Sequence, residues 1–319
     1  MRLQIAAAFS SIFLLTSTAS ADTILYGGNG GQIGTNGSPS SINNGWLVDI
    51  DQSNGDVHPI GHPAGVARLT GLAFVSSDIL YATTIGKAVT PPVLPSQPMT
   101  STLIQINPDT GALVTNIGPI TAGVGGPAIA IADLAAQPGS GALYGIEAVD
   151  PSLSSNPLGN LYSIDKTTAV ATLIGSTGSR FGSLAFAPDG TLYLSSANFD
   201  TLGNFDNFQL ETVDPVNAAI LSALPGADFY SALAFRASDG MLVGGDGALG
   251  NLVTIDPTTA NETPIGNTGL NFVGDLDLRP VPEPSSLTMV GLALFAILSR
   301  HRFREAAEGA LRRNTDKSV

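Results

Sequence analysis

Apolar and polar positions along this chain fall into one recurring phrase. An apolar strand such as LAF leads through a tight turn to a strand ending near LY. A connection then leads to a strand of the form LxxID, a second turn, and a strand ending in IG. The phrase reads GLAFVSSDILYATT then STLIQINPDTGALVTNIG, and next DLAAQPGSGALYGIE then GNLYSIDKTTAVATLIG. It returns as SLAFAPDGTLYLSS then FQLETVDPVNAAILSALPG, and as ALAFRASDGMLVGG then GNLVTIDPTTANETPIG. Short apolar runs bounded by Gly, Pro and Asp, four to a unit, predict an all-β repeat.

A fifth copy is divided between the two ends of the repeat region. Thr23-Ile24-Leu25-Tyr26 supplies the LY strand, Trp46 to Asp51 the LxxID strand and Val57 to Gly61 the IG strand. The missing first strand is Asp275-Leu276-Asp277-Leu278. Asp51, Asn107, Asp165, Asp214 and Asp256 occupy aligned places and mark the five units. Radial repetition of this kind predicts a five-bladed β-propeller closed by pairing of its N- and C-terminal strands. An open β-solenoid would not need one unit's first strand to lie so far from the other three, and a degenerate extra blade is the remaining variant. Runs such as Leu184-Ala185-Phe186 are apolar on both faces, as blades sandwiched between neighbours require, with alanine allowing close approach.

Composition narrows the function classes. Of 319 residues, 13 are Lys or Arg and 26 are Asp or Glu, a net charge of −13, which disfavours nucleic acid as a partner. With no cysteine, zinc ribbons, iron–sulfur centres, thiol catalysis and disulfide frameworks are excluded. Residues 22–280 carry 6 basic and 22 acidic side chains, and residues 281–319 carry 6 and 4. Residues 22–280 are therefore the acidic part, which favours solubility.

Both ends read as addresses. Arg2, the apolar run from Ile5 to Leu15 and the triplet Ala19-Ser20-Ala21 predict a signal helix over 1–21 with cleavage before Asp22. At the other end, Pro282-Glu283-Pro284 precedes an apolar helix over 287–299, followed by Arg300, Arg302 and Arg304. A short hydrophobic helix with basic residues behind it should span the inner membrane with those residues in the cytoplasm.

These three parts, in this order, resemble the PEP-CTERM sorting signal of Gram-negative bacteria over residues 281–304. The resemblance implies an exosortase-like membrane enzyme as partner, and release to the cell envelope or extracellular matrix. Proteins of this type usually stop soon after the basic cluster, whereas here a polar tail continues over 305–319. The propeller domain then occupies 22–280, and the body resembles the broad class of propeller-repeat proteins.

The aspartates at the turns have two readings. Pro188-Asp189-Gly190, Asp214-Pro215 and Asp256-Pro257 have the chemistry of tight connections. Calcium is the alternative, but Asn54 stands where an EF-hand-type loop requires glycine, and no Glu follows at the required offset. Turn chemistry is the expectation, and no cofactor is implied.

Loop lengths predict a binding side. Connections between first and second strands, and between third and fourth, are short. Those over 27–45, 85–101, 149–160 and 198–207 are long and share one side with the blade-joining loops. Asp133, Ser183 and Asp275 stand at equivalent places before Leu134, Leu184 and Leu276, where side chains approach the central channel. Arg68 and Arg180 lie in the loops just before two innermost strands. Carboxylates and arginines there could hold sugar hydroxyls or a cation, and the bland reading is that they bond to loop backbone. Trp46, the sole tryptophan, could stack on a sugar ring, although packing is the commoner fate of so large a surface.

Catalysis finds little support. His58 and His62 are separated by Pro59 and Gly61 and cannot share a helical face, and no nucleophile elbow occurs. The expectation is an exported, non-enzymatic propeller acting as a binding or matrix component, with exopolysaccharide among its partners. A hydrolase using Asp133 with Asp275, and a protein-interaction module using the long loops, are the alternatives.

Overall fold

The structure is a computed structural model of the chain. It describes residues 23–30, 45–86, 100–148, 159–179, 181–199, 205–226, 228–246, 249–270 and 272–280. The signal segment 1–21 and the sorting segment with its helix over 287–299 lie outside the described residues. The described residues form 21 strands in five sheets and no helix.

The first blade contains β1 (Leu25–Asn29), β2 (Leu47–Ile50) and β3 (Val57–Gly61). The second contains β4 (Gly71–Ser76), β5 (Ile79–Gly86), β6 (Thr100–Ile106) and β7 (Leu113–Pro119). A two-residue strand, β8 (Thr121–Ala122), precedes the third blade of β9 (Ile131–Ala136), β10 (Leu143–Glu147), β11 (Asn160–Ile164) and β12 (Val170–Ser176). The fourth contains β13 (Phe181–Phe186), β14 (Leu192–Phe199), β15 (Phe205–Val213) and β16 (Ile220–Pro225). The fifth contains β17 (Ala232–Arg236), β18 (Met241–Gly245), β19 (Asn251–Ile255) and β20 (Glu262–Asn267). The last strand, β21 (Val273–Leu278), returns to the first blade and pairs antiparallel with β1, Leu25 opposite Leu278 and Gly27 opposite Leu276. The ring is closed as the split repeat predicts.

Two details depart from a strict four-strand reading. β8 pairs in parallel with the outer strand β12, adding a fifth strand to the third blade. The connection expected over 198–207 is shorter than its sequence suggests, because β14 and β15 stay paired out to Phe199 and Phe205.

Each piece of the repeat has a packing role. The tyrosine of LY meets the phenylalanine of LAF in the next blade: Tyr26 with Phe74 at 5.0 Å, Tyr144 with Phe186 at 5.2 Å and Tyr193 with Phe235 at 5.8 Å between ring centroids. Such pairs add about 0.5–1.5 kcal/mol beyond area burial. The central alanines Ala73, Ala135, Ala185 and Ala234 are buried in the clusters between blades. In the first, third and fifth blades the glycine of IG lets the outer strand abut the following blade's turn. A Cβ on Gly175 would lie 2.6 Å from the Asn217 carbonyl oxygen, and Gly61 and Gly266 meet Thr110 and Asn54 in the same way.

The aligned polar residues build the turns between third and fourth strands. A side-chain oxygen of Asp51, Asn107, Asp165, Asp214 and Asp256 accepts the amide two residues on, at 2.8–2.9 Å. The residue four places on returns its amide to the backbone carbonyl and has positive φ: Gly55 and Gly111 in two blades, Ala169, Ala218 and Ala260 in the others. The hydroxyls of Ser53, Thr258 and Thr167, joined by the amides of the same residues, lower the Asp51 and Asp256 carboxyls, and Asp165 to about 2.

Outer edges are guarded by proline. The uncovered outer strands β3, β7, β16 and β20 contain Pro59, Pro119, Pro225 and Pro264. Only β12 lacks one, and it is the strand that β8 covers. Proline cannot donate to a ladder and so discourages pairing with another chain.

Candidate functional site

The innermost strands β21, β4, β9, β13 and β17 pack side by side around the channel in that order. Each has a partner strand on one side only, so amides facing inward need other acceptors. Asp133 and Asp275, both fully buried, supply them. One Asp133 oxygen accepts from its own Leu134 amide at 2.7 Å, and the other from the Leu184 amide of the next blade, also at 2.7 Å. Asp275 repeats the pattern, accepting from Leu276 at 2.6 Å and from Leu72 across the blade boundary. Asp277 repeats it again, with Leu278 at 2.8 Å and Phe74 at 2.6 Å.

Ser183, at the equivalent place in the fourth blade, donates to the Tyr230 carbonyl of the fifth at 2.7 Å. Ser231 donates to the Val273 carbonyl at 2.8 Å, and Ser101 accepts the Ile131 amide at 2.8 Å. Every junction between neighbouring blades is thus stitched by a side chain to backbone.

The structure brings Asp133 and Asp275 together: their carboxyls hydrogen-bond to each other. Two carboxyl groups can share such a bond only if one keeps its proton. Burial pushes Asp133 up to about 7 and Asp275 well above the usual carboxylate range, with the Asp133 charge raising Asp275 further. Burial also lifts Asp277 to about 7. The arrangement holds a proton and four amides and leaves neither carboxylate a solvent-facing oxygen.

The other residues singled out from sequence are elsewhere. Arg68, in the connection before β4, is half-buried, its Nε is enclosed without a hydrogen-bond partner among the described residues, and burial pulls its pKa down. Trp46 is partly buried against the cluster between the fifth and first blades, its ring 6.0 Å from that of His62. Arg180, Pro282, Glu283, Pro284, Arg300, Arg302 and Arg304 lie outside the described residues.

Sequence reasoning missed several residues. Asp277 takes the place that alanine holds in the other four units, and that mismatch was its available signal. Glu147 accepts from Asn160 at 2.6 Å, Glu211 accepts from Ser179 at 3.4 Å, and burial raises both. No motif marks either. A cleft of about 650 Å³ between the first and fifth blades, on the side away from the long loops, holds the Asp49–His58 pair at 2.9 Å and the Arg236–Asp239 pair at 2.7 Å. Among the described residues, no three His, Asp or Glu side chains are grouped to hold a metal ion.

Fold and channel define a five-bladed β-propeller whose buried carboxyls tie blade to blade. The model of the PEP-CTERM protein-sorting motif matches residues 280–302, immediately after the propeller. The chain is therefore an exported protein sorted to the cell envelope, with an exosortase-type enzyme as its processing partner. No curated relative matches the chain in sequence. Among solved structures, the nidogen/laminin complex is similar at 14% identity and a TM-score of 0.47, over 78% of this chain and 79% of that one. The PQQ-bound aldose sugar dehydrogenase from Streptomyces coelicolor is similar at 14% identity and a TM-score of 0.42, over 69% and 75%.

Proposed function

We propose that the exported propeller is a non-enzymatic binding or structural component of the envelope or extracellular polysaccharide matrix. One observation carries this reading: the channel acids, the best-placed groups for hydrolysis, have their oxygens committed to backbone amides and to each other. A glycosidase needs one carboxyl free to protonate a leaving group and another beside the sugar ring. With the acids engaged, recognition falls to the side where the long connections gather on a rigid ring.

A glycan array probed with the purified exported protein tests this. Binding to acidic or neutral exopolysaccharide fragments without turnover supports the reading. Release of reducing ends, abolished by Asp133→Asn, contradicts it.

A further inference from the structure

We propose that the side of the propeller opposite the long loops is the docking surface for the membrane-embedded enzyme that processes the sorting signal. The proposal rests on the sorting reading above and adds a contact surface to it.

Arg279 is the first residue after β21. Its amide donates to the Ile24 carbonyl at 3.0 Å. Its guanidinium donates to the Ser77 carbonyl at 2.6 Å, to Asp109 at 2.6 Å and to the Tyr26 hydroxyl at 3.3 Å, with Asp78 at 3.4 Å. The chain is therefore clamped to the first and second blades up to the residue where the matched motif begins. From Arg279 to Glu283 is four residues, which span at most about 14 Å when extended.

A small folded domain is about 30 Å across, so an enzyme that holds Glu283 touches the propeller around the exit of the chain. The surface it meets is shaped and charged. Ile24 is 46% exposed at the edge of the 650 Å³ cleft, whose lining pairs Asp49 with His58 and Asp239 with Arg236 and adds Asp51. Asp78 and Asp109 flank the exit with their side chains 84% and 66% exposed. Anionic lipid headgroups are repelled by such a surface, whereas a basic protein surface is attracted. The same geometry turns the long-loop side away from the enzyme and leaves it free.

The test uses the full chain in cells that process it, following loss of the C-terminal segment by pulse-chase. Inserting twelve Gly and Ser residues between Arg279 and Pro280, or making Asp78→Lys, should slow processing several-fold. Unchanged or faster processing of both variants overturns the docking surface. Glu283→Ala separates the two ideas: normal processing of that variant would sink the sorting reading itself. Because the chain has no cysteine, Ser238→Cys carrying a photo-crosslinker should capture the tagged enzyme, while Ala67→Cys on the loop side should not. Equal capture from both positions, or none from Ser238→Cys, contradicts the proposal.

Discussion

Asp133 and Asp275 meet at the channel as a hydrogen-bonded pair of buried carboxyls, although they belong to blades that are not neighbours. Each also spans a blade boundary, Asp133 to the Leu184 amide and Asp275 to that of Leu72. The pair is a tie between four blades, and its chemistry sets how the ring responds to pH and to mutation.

The first consequence is a stability that declines with rising pH. The folded protein keeps Asp133 and Asp277 protonated up to about pH 7, and burial beside Asp133 holds the Asp275 proton well above the usual carboxylate range, whereas an unfolded chain releases those protons near pH 4. Between those values the native state binds more protons, so stability falls as pH rises. The exposed turn aspartates Asp51, Asp165 and Asp256 act oppositely and only below about pH 4, where their protonation removes stability. Thermal melts should be highest near pH 4–5 and lower at pH 8. A melting temperature that climbs from pH 5 to pH 8 would contradict the shared proton.

Removing the Asp133 carboxyl should cost more than removing the Ser183 hydroxyl. Asp133→Ala leaves the Leu134 and Leu184 amides without acceptors, a loss of about 2–5 kcal/mol. Ser183→Ala breaks one neutral hydrogen bond to the Tyr230 carbonyl and should cost about 1 kcal/mol. Urea denaturation of both variants checks the order, and equal losses would remove the bridging role.

Small residues between blades should resist enlargement. Gly175→Ala pushes a methyl group towards the Asn217 carbonyl, and Ala185→Leu overfills a cluster that holds Leu210, Tyr230 and Leu233. Each should cost about 1–3 kcal/mol, read as a lowered denaturation midpoint. A variant as stable as the parent would show that the contact is slack.

Much of this was readable in the chain because a closed repeat compares itself with itself. LAF, LY and IG are the contact residues of one blade junction, so five copies expose their roles without any relative. Asp275 to Leu278 was readable as the missing strand because β1, β2 and β3 otherwise lack an inner neighbour. What escaped depended on three-dimensional meetings that no spacing encodes. The clamp of Arg279 on Ser77 and Asp109 and the covering of β12 by β8 join residues with no shared motif, and the aligned places of Asp133 and Asp275 pointed both to the channel without giving their separation. Asp277 lay between these extremes, visible as an exception to an alanine rule but unexplained until the Phe74 amide stood beside it.

The claim beneath all of these is that the ring closes through β21. Hydrogen–deuterium exchange on the intact chain and on a variant lacking residues 273–280 tests it directly. Closure through β1 predicts strong protection of 25–29 in the intact chain, lost across the first blade when those residues are deleted. Unaltered protection of the first blade in the shortened chain would contradict it.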